Sequence, residues 1–229
     1  MRAAMTLVLL LSGTATPLVF AQTSDWKSDS PGISHRIKPS DLPQPPASTE
    51  PEASKGSVAK VVPRPANALP KVPDGFAVQL VPDFMARLQD GAFFGWPWYY
   101  IGDHEDPAWR GKRPDLKGKV RAPEVLFQAH SSALAVAFYD RDAFPAEYRG
   151  DAFVTLHGSH TRPIRTGYKV VRVRRNGGKP TGEYQDFMTG FIVDNDTVWG
   201  RPAGIAVTRD GALLVSDDAN GTVFRVARK

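Results

Sequence analysis

The chain has 229 residues, a formal charge of +5 and no cysteine. The lack of cysteine excludes disulfides, thiolate chemistry and cysteine-ligated zinc, so a bound metal would need oxygen or imidazole ligands. Basic residues alternate with acidic ones instead of forming a block, which argues against a nucleic-acid partner. The basic excess instead favours an anionic cofactor or substrate.

Residues 1–21 have the pattern of a cleavable signal peptide. Arg2 precedes an apolar run over residues 5–11, and Val19-Phe20-Ala21 ends at a site that a signal peptidase recognises. The apolar run is too short to span a bilayer, which takes about 20 apolar residues. We therefore expect an exported protein, periplasmic or secreted, without a membrane span. An uncleaved amphipathic anchor is the alternative.

Residues 22–71 are rich in proline, serine and charged residues. Such a stretch buries too little apolar surface to offset the entropy that it loses on ordering. The composition predicts a disordered linker over residues 22–71 and one packed domain over residues 72–229.

The predicted domain consists of short apolar segments between turn residues, without a long stretch of helical periodicity. The strand candidates are 76–80, 125–128, 133–138, 152–156, 168–174, 204–208, 212–216 and 222–226. This pattern predicts an all-β fold.

The last three strand candidates form the clearest unit. Two tight turns, Asp210-Gly211 and Asn220-Gly221, join them, and such dipeptides adopt the positive φ that short hairpins require. A meander of this kind is the unit of a β-propeller blade. Because a looser meander over residues 133–178 precedes it, repeated propeller blades are the favoured interpretation. A plain β-sandwich is the alternative.

Three segments carry a recognisable signature. They are Gly95-Trp96-Pro97, Phe144-Pro145-Ala146-Glu147-Tyr148-Arg149-Gly150-Asp151 and Val198-Trp199-Gly200-Arg201-Pro202-Ala203-Gly204. Together they resemble the pyrroloquinoline-quinone-dependent sugar dehydrogenases, in particular the L-sorbosone dehydrogenase branch. The resemblance extends over residues 81–226. It implies a partial propeller of about three blades, related to the six-bladed fold of that family.

A fourth segment, Val72-Pro73-Asp74-Gly75-Phe76-Ala77-Val78, resembles the first strand of the same family's propeller. Here it stands directly before the later motifs, which implies an internal deletion, joined near residues 79–82, of about the first half of the ring. We expect residues 76–80 to add to the last meander as a closing strand. The exposed blade faces that result would favour a homodimer.

The resemblance implies pyrroloquinoline quinone and calcium as cofactors and a small sugar as substrate. Arg201 falls where the family places an arginine against the anionic quinone, which a guanidinium binds through charge-assisted hydrogen bonds. His157, Ser159 and Arg162 fall in a loop that supplies further polar contacts to that cofactor. The family's histidine base and calcium-binding segment belong to the missing half, so His157 is the remaining candidate base and no metal ligand is assigned. Solvated loop cations and residues that satisfy turn backbone are the structural alternatives.

Two further groups have both a functional and a structural interpretation. Trp96, Pro97 and Trp98 suit either sugar stacking or packing between blades, and packing is favoured. The runs Asp103-His104-Glu105-Asp106 and Asp194-Asn195-Asp196 offer oxygen ligands to calcium. They lack the spacing of a known calcium-binding loop, so surface turns are favoured for both.

The expected function is quinone-dependent oxidation of an aldose or sorbosone-like sugar. The activity of the shortened chain and its electron acceptor are left open. A non-catalytic propeller remnant that binds carbohydrate or protein is the alternative. Sugar lactone hydrolysis on a similar propeller would need acidic metal ligands on all blades, and the sequence contains no motif for nucleophilic hydrolysis.

Overall fold

The computed structural model describes residues 26–41, 83–160, 162 and 164–228. The strands are β1 Ser34–Arg36, β2 Phe84–Met85, β3 Tyr99–Tyr100, β4 His104–Glu105, β5 Val125–Leu126, β6 Ala133–Phe138, β7 Ala152–Leu156, β8 Lys169–Asn176, β9 Lys179–Met188, β10 Pro202–Val207, β11 Leu213–Asp217 and β12 Thr222–Val226. Short 3₁₀ turns occupy Trp26–Ser28, Pro39–Asp41, Pro107–Trp109, Pro114–Leu116 and Ala146–Tyr148. The described residues contain no α-helix, which confirms the predicted all-β class. Within the same residues, no helical segment has the length and apolar character to cross a membrane.

The larger sheet has five antiparallel strands in the order β1-β9-β8-β7-β6. Strands β6 to β9 follow one another in sequence as a four-stranded meander. Val154 of β7 lies opposite Val136 of β6 and Val171 of β8, which fixes the register at the centre of the sheet. Every residue of β7 is buried, because both faces of the sheet are covered there.

The smaller sheet is the predicted C-terminal meander, in the order β10-β11-β12. Val215 lies opposite Ile205 on one side and Phe224 on the other. The first turn requires a glycine, since Gly211 has a φ of 84° and a Cβ there would lie 2.6 Å from that of Ala143. Strand β10 lies against β6 and β7 of the larger sheet. Two consecutive antiparallel meanders packed in this way form a partial β-propeller, as predicted.

Two apolar clusters hold the sheets together, one on each face of the larger sheet. On one face, Val125 and Phe127 pack with Val154 and Tyr184. The second cluster fills the space between the meanders and consists of Tyr139, Phe144, Phe153, Val170, Leu213 and Val215. The two faces alternate along β7, as the period of a strand requires.

The structure differs from the predicted linker over residues 26–41. Strand β1 pairs with β9, with Ser34 opposite Gln185, and His35 is buried in the contact. The prediction considered only apolar surface, whereas this segment is held by backbone hydrogen bonds and buried ion pairs. The signal peptide, the remaining linker residues 42–71 and the strand candidate 76–80 lie outside the described residues, so these stay predictions.

Candidate functional site

The candidate site lies where the two meanders meet, at the ends of β7 and β11. His157 follows β7 directly, and Asp218 follows β11. His157 Nε2 lies 2.9 Å from Asp218 Oδ2, and Arg201 Nε lies 3.0 Å from Asp218 Oδ1. The structure therefore brings together two of the predicted site residues, His157 and Arg201, through a carboxylate that sequence reasoning had not assigned to the site.

A neighbouring carboxylate fixes the position of Arg201. Oδ1 of Asp217, a buried side chain at the end of β11, accepts hydrogen bonds from the backbone N–H of Arg201 at 2.8 Å and of Ala219 at 2.9 Å. Although burial alone would raise the pKa of Asp217, these hydrogen bonds hold it below the usual value. The anionic Asp217 thus holds the start of β10 beside the end of β11, with the Arg201 side chain at Asp218.

The site combines charges of both signs. The Arg201 guanidinium and the His157 imidazole face the carboxylate of Asp218, whose side chain is 48% exposed. The Arg201 Nε atom is buried, and its contact with Asp218 lacks the alignment of a hydrogen bond. The guanidinium has further N–H donors at its two Nη atoms, which suit an anionic ligand.

The loop after β7 owes its shape to a close approach of the backbone to an aromatic ring. Gly158 has a φ of 109°, and a Cβ on it would lie 2.3 Å from the Tyr168 ring. The buried Ser159 accepts a hydrogen bond at Oγ from Thr166 N at 3.1 Å, and its carbonyl accepts one from the Tyr168 hydroxyl at 2.7 Å. The resemblance implied that Ser159 contacts the cofactor. In the structure, its hydroxyl and carbonyl oxygens instead accept hydrogen bonds from residues of its own loop.

The same loop carries further cations. Arg162 Nη1 donates to the Ala129 carbonyl at 3.1 Å, and Arg165 Nη1 donates to the Ser159 carbonyl at 2.8 Å. The rings of His157 and His160 lie 6.1 Å apart. Sequence reasoning missed Arg165. A signal was present, because two arginines, Arg162 and Arg165, stand close together in this loop.

A second polar cluster lies beneath the N-terminal segment. Lys169 Nζ lies 2.9 Å from Asp29 Oδ2 and 2.9 Å from Asp186 Oδ1, and His35 Nε2 lies 3.2 Å from the same Asp186 atom. Asp29, His35 and Asp186 have the spacing of metal ligands. However, the Lys169 ammonium already lies between the two carboxylates, where a metal ion would have to bind. The cluster is therefore an internal ion network and does not fit calcium.

Burial and charge shift the two carboxyl groups of this network in opposite directions. Burial raises the pKa of Asp29 above its usual value. Burial would raise the pKa of Asp186 as well, but the contact with His35 and the charge of Lys169 hold it below the usual value. Asp186 is thus the better stabilised anion.

A cavity of about 130 Å³ adjoins the network and is lined by Trp26, Lys27, Asp29, Gly167, Tyr168, Lys169, Thr189, Gly190 and Ile192. This volume is below the roughly 300 Å³ at which ligand pockets usually begin. The junction of the meanders therefore remains the candidate site.

The other predicted groups prove to be surface features. Trp96 is 81% exposed, so packing between blades is wrong for this residue. The carboxylates of Asp103, Glu105 and Asp106 accept hydrogen bonds from the backbone N–H groups of nearby residues, as does that of Asp194. Asp194, Asn195 and Asp196 lie in a bend, which confirms the turn interpretation for that run. In the other run, His104 and Glu105 form strand β4, so the turn interpretation is wrong for these two residues.

Comparison with known proteins gives a family match and several remote relatives. The profile of a family described as TrAA12-like matches residues 112–229. An uncharacterized protein of Borreliella burgdorferi is 28% identical over 156 residues, which make up 67% of this chain and 41% of that protein. A solved structure of a Trichoderma reesei enzyme of Carbohydrate-Active Enzymes family AA12 is 24% identical with a TM-score of 0.48, over 61% of this chain and 40% of that one.

A further solved structure is the holo form of the PQQ domain of pyranose dehydrogenase from Coprinopsis cinerea. It is 26% identical with a TM-score of 0.42, over 56% of this chain and 32% of that chain. The chain thus spans about 40% of the length of the first relatives that it matches.

Proposed function

Because this chain belongs to the TrAA12-like family, we propose that it descends from a quinone-dependent sugar oxidoreductase and retains the cofactor-holding side of the site. The proposed cofactor is pyrroloquinoline quinone, and the proposed substrate is an aldose or a sorbosone-like sugar. The sequence resemblance over residues 81–226 supports this assignment, and the pattern of residues 1–21 supports export.

One observation supports the retained half-site above all. Asp218 brings Arg201 and His157 together where the two meanders meet, so that two cationic or protonatable groups share one partly exposed carboxylate. A carboxylated quinone suits this donor set, because a guanidinium and an imidazole both form charge-assisted hydrogen bonds with carboxylates. Arg201 and His157 would hold the cofactor, and Arg165 in the neighbouring loop would add positive charge.

When bound, the quinone supplies a two-electron acceptor for oxidation of a sugar hydroxyl. The protein's own contribution would be a side chain that accepts the proton of the sugar hydroxyl. In its neutral form, His157 donates Nε2–H to Asp218, which leaves the lone pair on Nδ1. Nδ1 is therefore the atom at which His157 would accept a proton, and Asp218 would stabilise the imidazolium that results.

Calcium is not assigned to a site. Among residues 26–41, 83–160, 162 and 164–228, the one cluster with metal-like spacing already holds the Lys169 ammonium.

Titration of the full chain with pyrroloquinoline quinone tests the proposal. We expect saturable binding that weakens about tenfold in Arg201→Ala, which corresponds to the loss of one charge-assisted contact. Arg225→Ala is the matched control, because Arg225 also pairs with an aspartate, Asp210, but on the exposed edge strand β12. Equal binding by wild type and Arg201→Ala, or no binding by either, would refute the proposal that this chain retains the cofactor-holding side of the site.

Reduction of a redox dye in the presence of aldoses then separates the two candidate functions. Sugar-dependent reduction that is lost in His157→Ala supports an active oxidoreductase. Cofactor binding without turnover supports the alternative, a non-catalytic remnant, which the internal deletion implied by the sequence resemblance would favour.

A further inference from the structure

The segment over residues 26–41 is bound along one edge of the larger sheet. Strand β1 pairs with β9, and the backbone N–H of Gly32 donates to the Asp186 carbonyl at 2.8 Å. The Gly32 carbonyl accepts a hydrogen bond from Gln185 Nε2 at 2.9 Å. Residues 26–29, which precede β1, are thereby held close to the first residue of β8 and to the bend after β9.

One hydrogen-bonded connection leads from Trp26 to the loop after β7. Trp26 Nε1 donates to Asn195 Oδ1 at 2.7 Å, and the Asn195 carbonyl accepts a hydrogen bond from Arg165 Nε at 2.8 Å. Arg165 Nη1 in turn donates to the Ser159 carbonyl at 2.8 Å. Trp26 is therefore linked to the backbone of the loop through one bend and one guanidinium.

A second connection leads from Asp29 to the same carbonyl. Asp29 Oδ2 lies 2.9 Å from Nζ of Lys169, a buried side chain. Tyr168 directly precedes Lys169, and its hydroxyl donates to the Ser159 carbonyl at 2.7 Å. The Ser159 carbonyl thus accepts hydrogen bonds from both Arg165 and Tyr168, which occupies its two lone pairs.

The backbone of Tyr168 is strained at this point. Its φ of 53° lies in the left-handed region, which a residue with a bulky side chain rarely adopts. Such a conformation persists only where the surrounding contacts impose it. Trp26 and Asp29 belong to those surroundings, because both line the same cavity as Tyr168 and Lys169.

The position of this loop decides where the His157 imidazole lies. His157 stands two residues before Ser159 in the chain. The backbone N–H groups of His157 and Gly158 donate to the Ser132 and Ser131 carbonyls, each at 2.9 Å. A shift of the Ser159 carbonyl would act on these hydrogen bonds and on the contact of His157 with Asp218.

We propose that residues 26–29 act as a latch for the loop after β7, with Trp26 and Asp29 as positioning residues for the His157 imidazole. Hydrogen bonds and ion pairs that form a continuous network can carry such coupling between distant segments. Displacement or cleavage of the latch would loosen the loop and leave the sheets folded, since among the described residues the two apolar clusters are built without residues 26–29. The latch goes beyond the cofactor proposal and concerns the protein without a ligand.

Amide hydrogen exchange of the full chain, followed by NMR without cofactor, tests the latch. In Trp26→Ala we expect the N–H groups of Gly158 and Ser159 to exchange about tenfold faster, because loss of one hydrogen bond shifts a local opening equilibrium by up to about this factor. The ring signals of His157, identified by their absence in His157→Gln, should shift as well. Trp26→Phe keeps an aromatic ring, loses only the Nε1 donor and should act in the same direction if Trp26→Ala fails to fold.

Arg36→Ala is the matched control. It removes an exposed ion pair with Glu183 from the same N-terminal segment, at 3.2 Å, but lies on neither connection, so exchange at Gly158 and Ser159 should stay unchanged.

Three results would overturn the latch. The first is unchanged exchange at Gly158 and Ser159 in both Trp26 variants. The second is an equal acceleration in Arg36→Ala. The third is an equal acceleration at Val154, at the centre of β7, which would show a general loss of stability. Because the measurement is made without quinone, its outcome is independent of whether the chain binds the cofactor.

Discussion

His157 and Asp218 are 61 residues apart in sequence, yet Nε2 of the imidazole lies 2.9 Å from Oδ2 of the carboxylate. The contact joins the end of β7 in the larger sheet to the end of β11 in the smaller one. Since Arg201 contacts the Oδ1 atom of Asp218, this one side chain connects both meanders through His157 and Arg201.

Asp218→Asn should separate the structural from the electrostatic role of this carboxylate. Because Asp218 is half exposed, we expect the free energy of unfolding to fall by about 1 kcal/mol or less. Binding of pyrroloquinoline quinone should become severalfold tighter at low salt, since the Arg201 guanidinium loses its neutralising partner. Urea unfolding and cofactor titration measure the two effects. Weaker binding would instead mean that Asp218 holds Arg201 and His157 in place.

Tyr139→Phe should loosen the contact between the meanders. The buried Tyr139 hydroxyl donates to the Gly211 carbonyl at 2.9 Å and accepts from Phe144 N at 2.9 Å. Removing it leaves two buried backbone groups without this partner, which should lower the free energy of unfolding by about 1–3 kcal/mol. Tyr148→Phe is a matched control in the same aromatic cluster, because the Tyr148 hydroxyl makes none of the hydrogen bonds found in the described part of the chain. Similar losses in both variants, measured by urea unfolding, would contradict the prediction.

Asp186→Asn should destabilise the protein at neutral pH. The substitution removes the negative charge that lies beside Lys169 and His35 in the buried network. Removing one partner of a buried ion pair lowers the free energy of unfolding by about 3 kcal/mol. The pKa of Asp186 is held below its usual value, so its stabilising effect is present above the unfolded-state pKa, near 3.9. The difference in unfolding free energy between wild type and Asp186→Asn should therefore stay constant from pH 7 to about pH 5 and shrink below about pH 4.

Asp29→Asn is the control with the opposite sign. Burial raises the pKa of Asp29, so the stability linked to its protonation is present below the unfolded-state pKa and lost as the pH rises through the folded-state pKa. The stability of wild type relative to Asp29→Asn should thus increase on acidification from pH 7 towards pH 4. Urea unfolding at several pH values measures both differences. If the two differences in unfolding free energy changed with pH in the same direction, the pKa values of Asp29 and Asp186 would not be shifted in opposite directions.

Strand positions with clear alternation and turn residues were predictable. Ala133–Phe138, Ala152–Leu156 and Thr222–Val226 were predicted with the bounds that the structure shows. Strand β9, Lys179–Met188, was missed because Pro180 and Gly182 interrupt its pattern and a charged residue, Asp186, occupies a buried position. Its partner β1 was missed for the same reason, since its buried residue is His35.

The sequence alone determined the class of the fold, because apolar alternation and Asp-Gly or Asn-Gly turns are local properties of the chain. It also indicated Arg201 and His157 as site candidates. Only the tertiary structure decided that Asp218 joins them, that Ser159 serves its own loop, and that Lys169 is the counterion of Asp29 and Asp186. These relationships depend on contacts between residues far apart in sequence. A buried charge is stable only beside a partner, and only the packed fold brings that partner within reach.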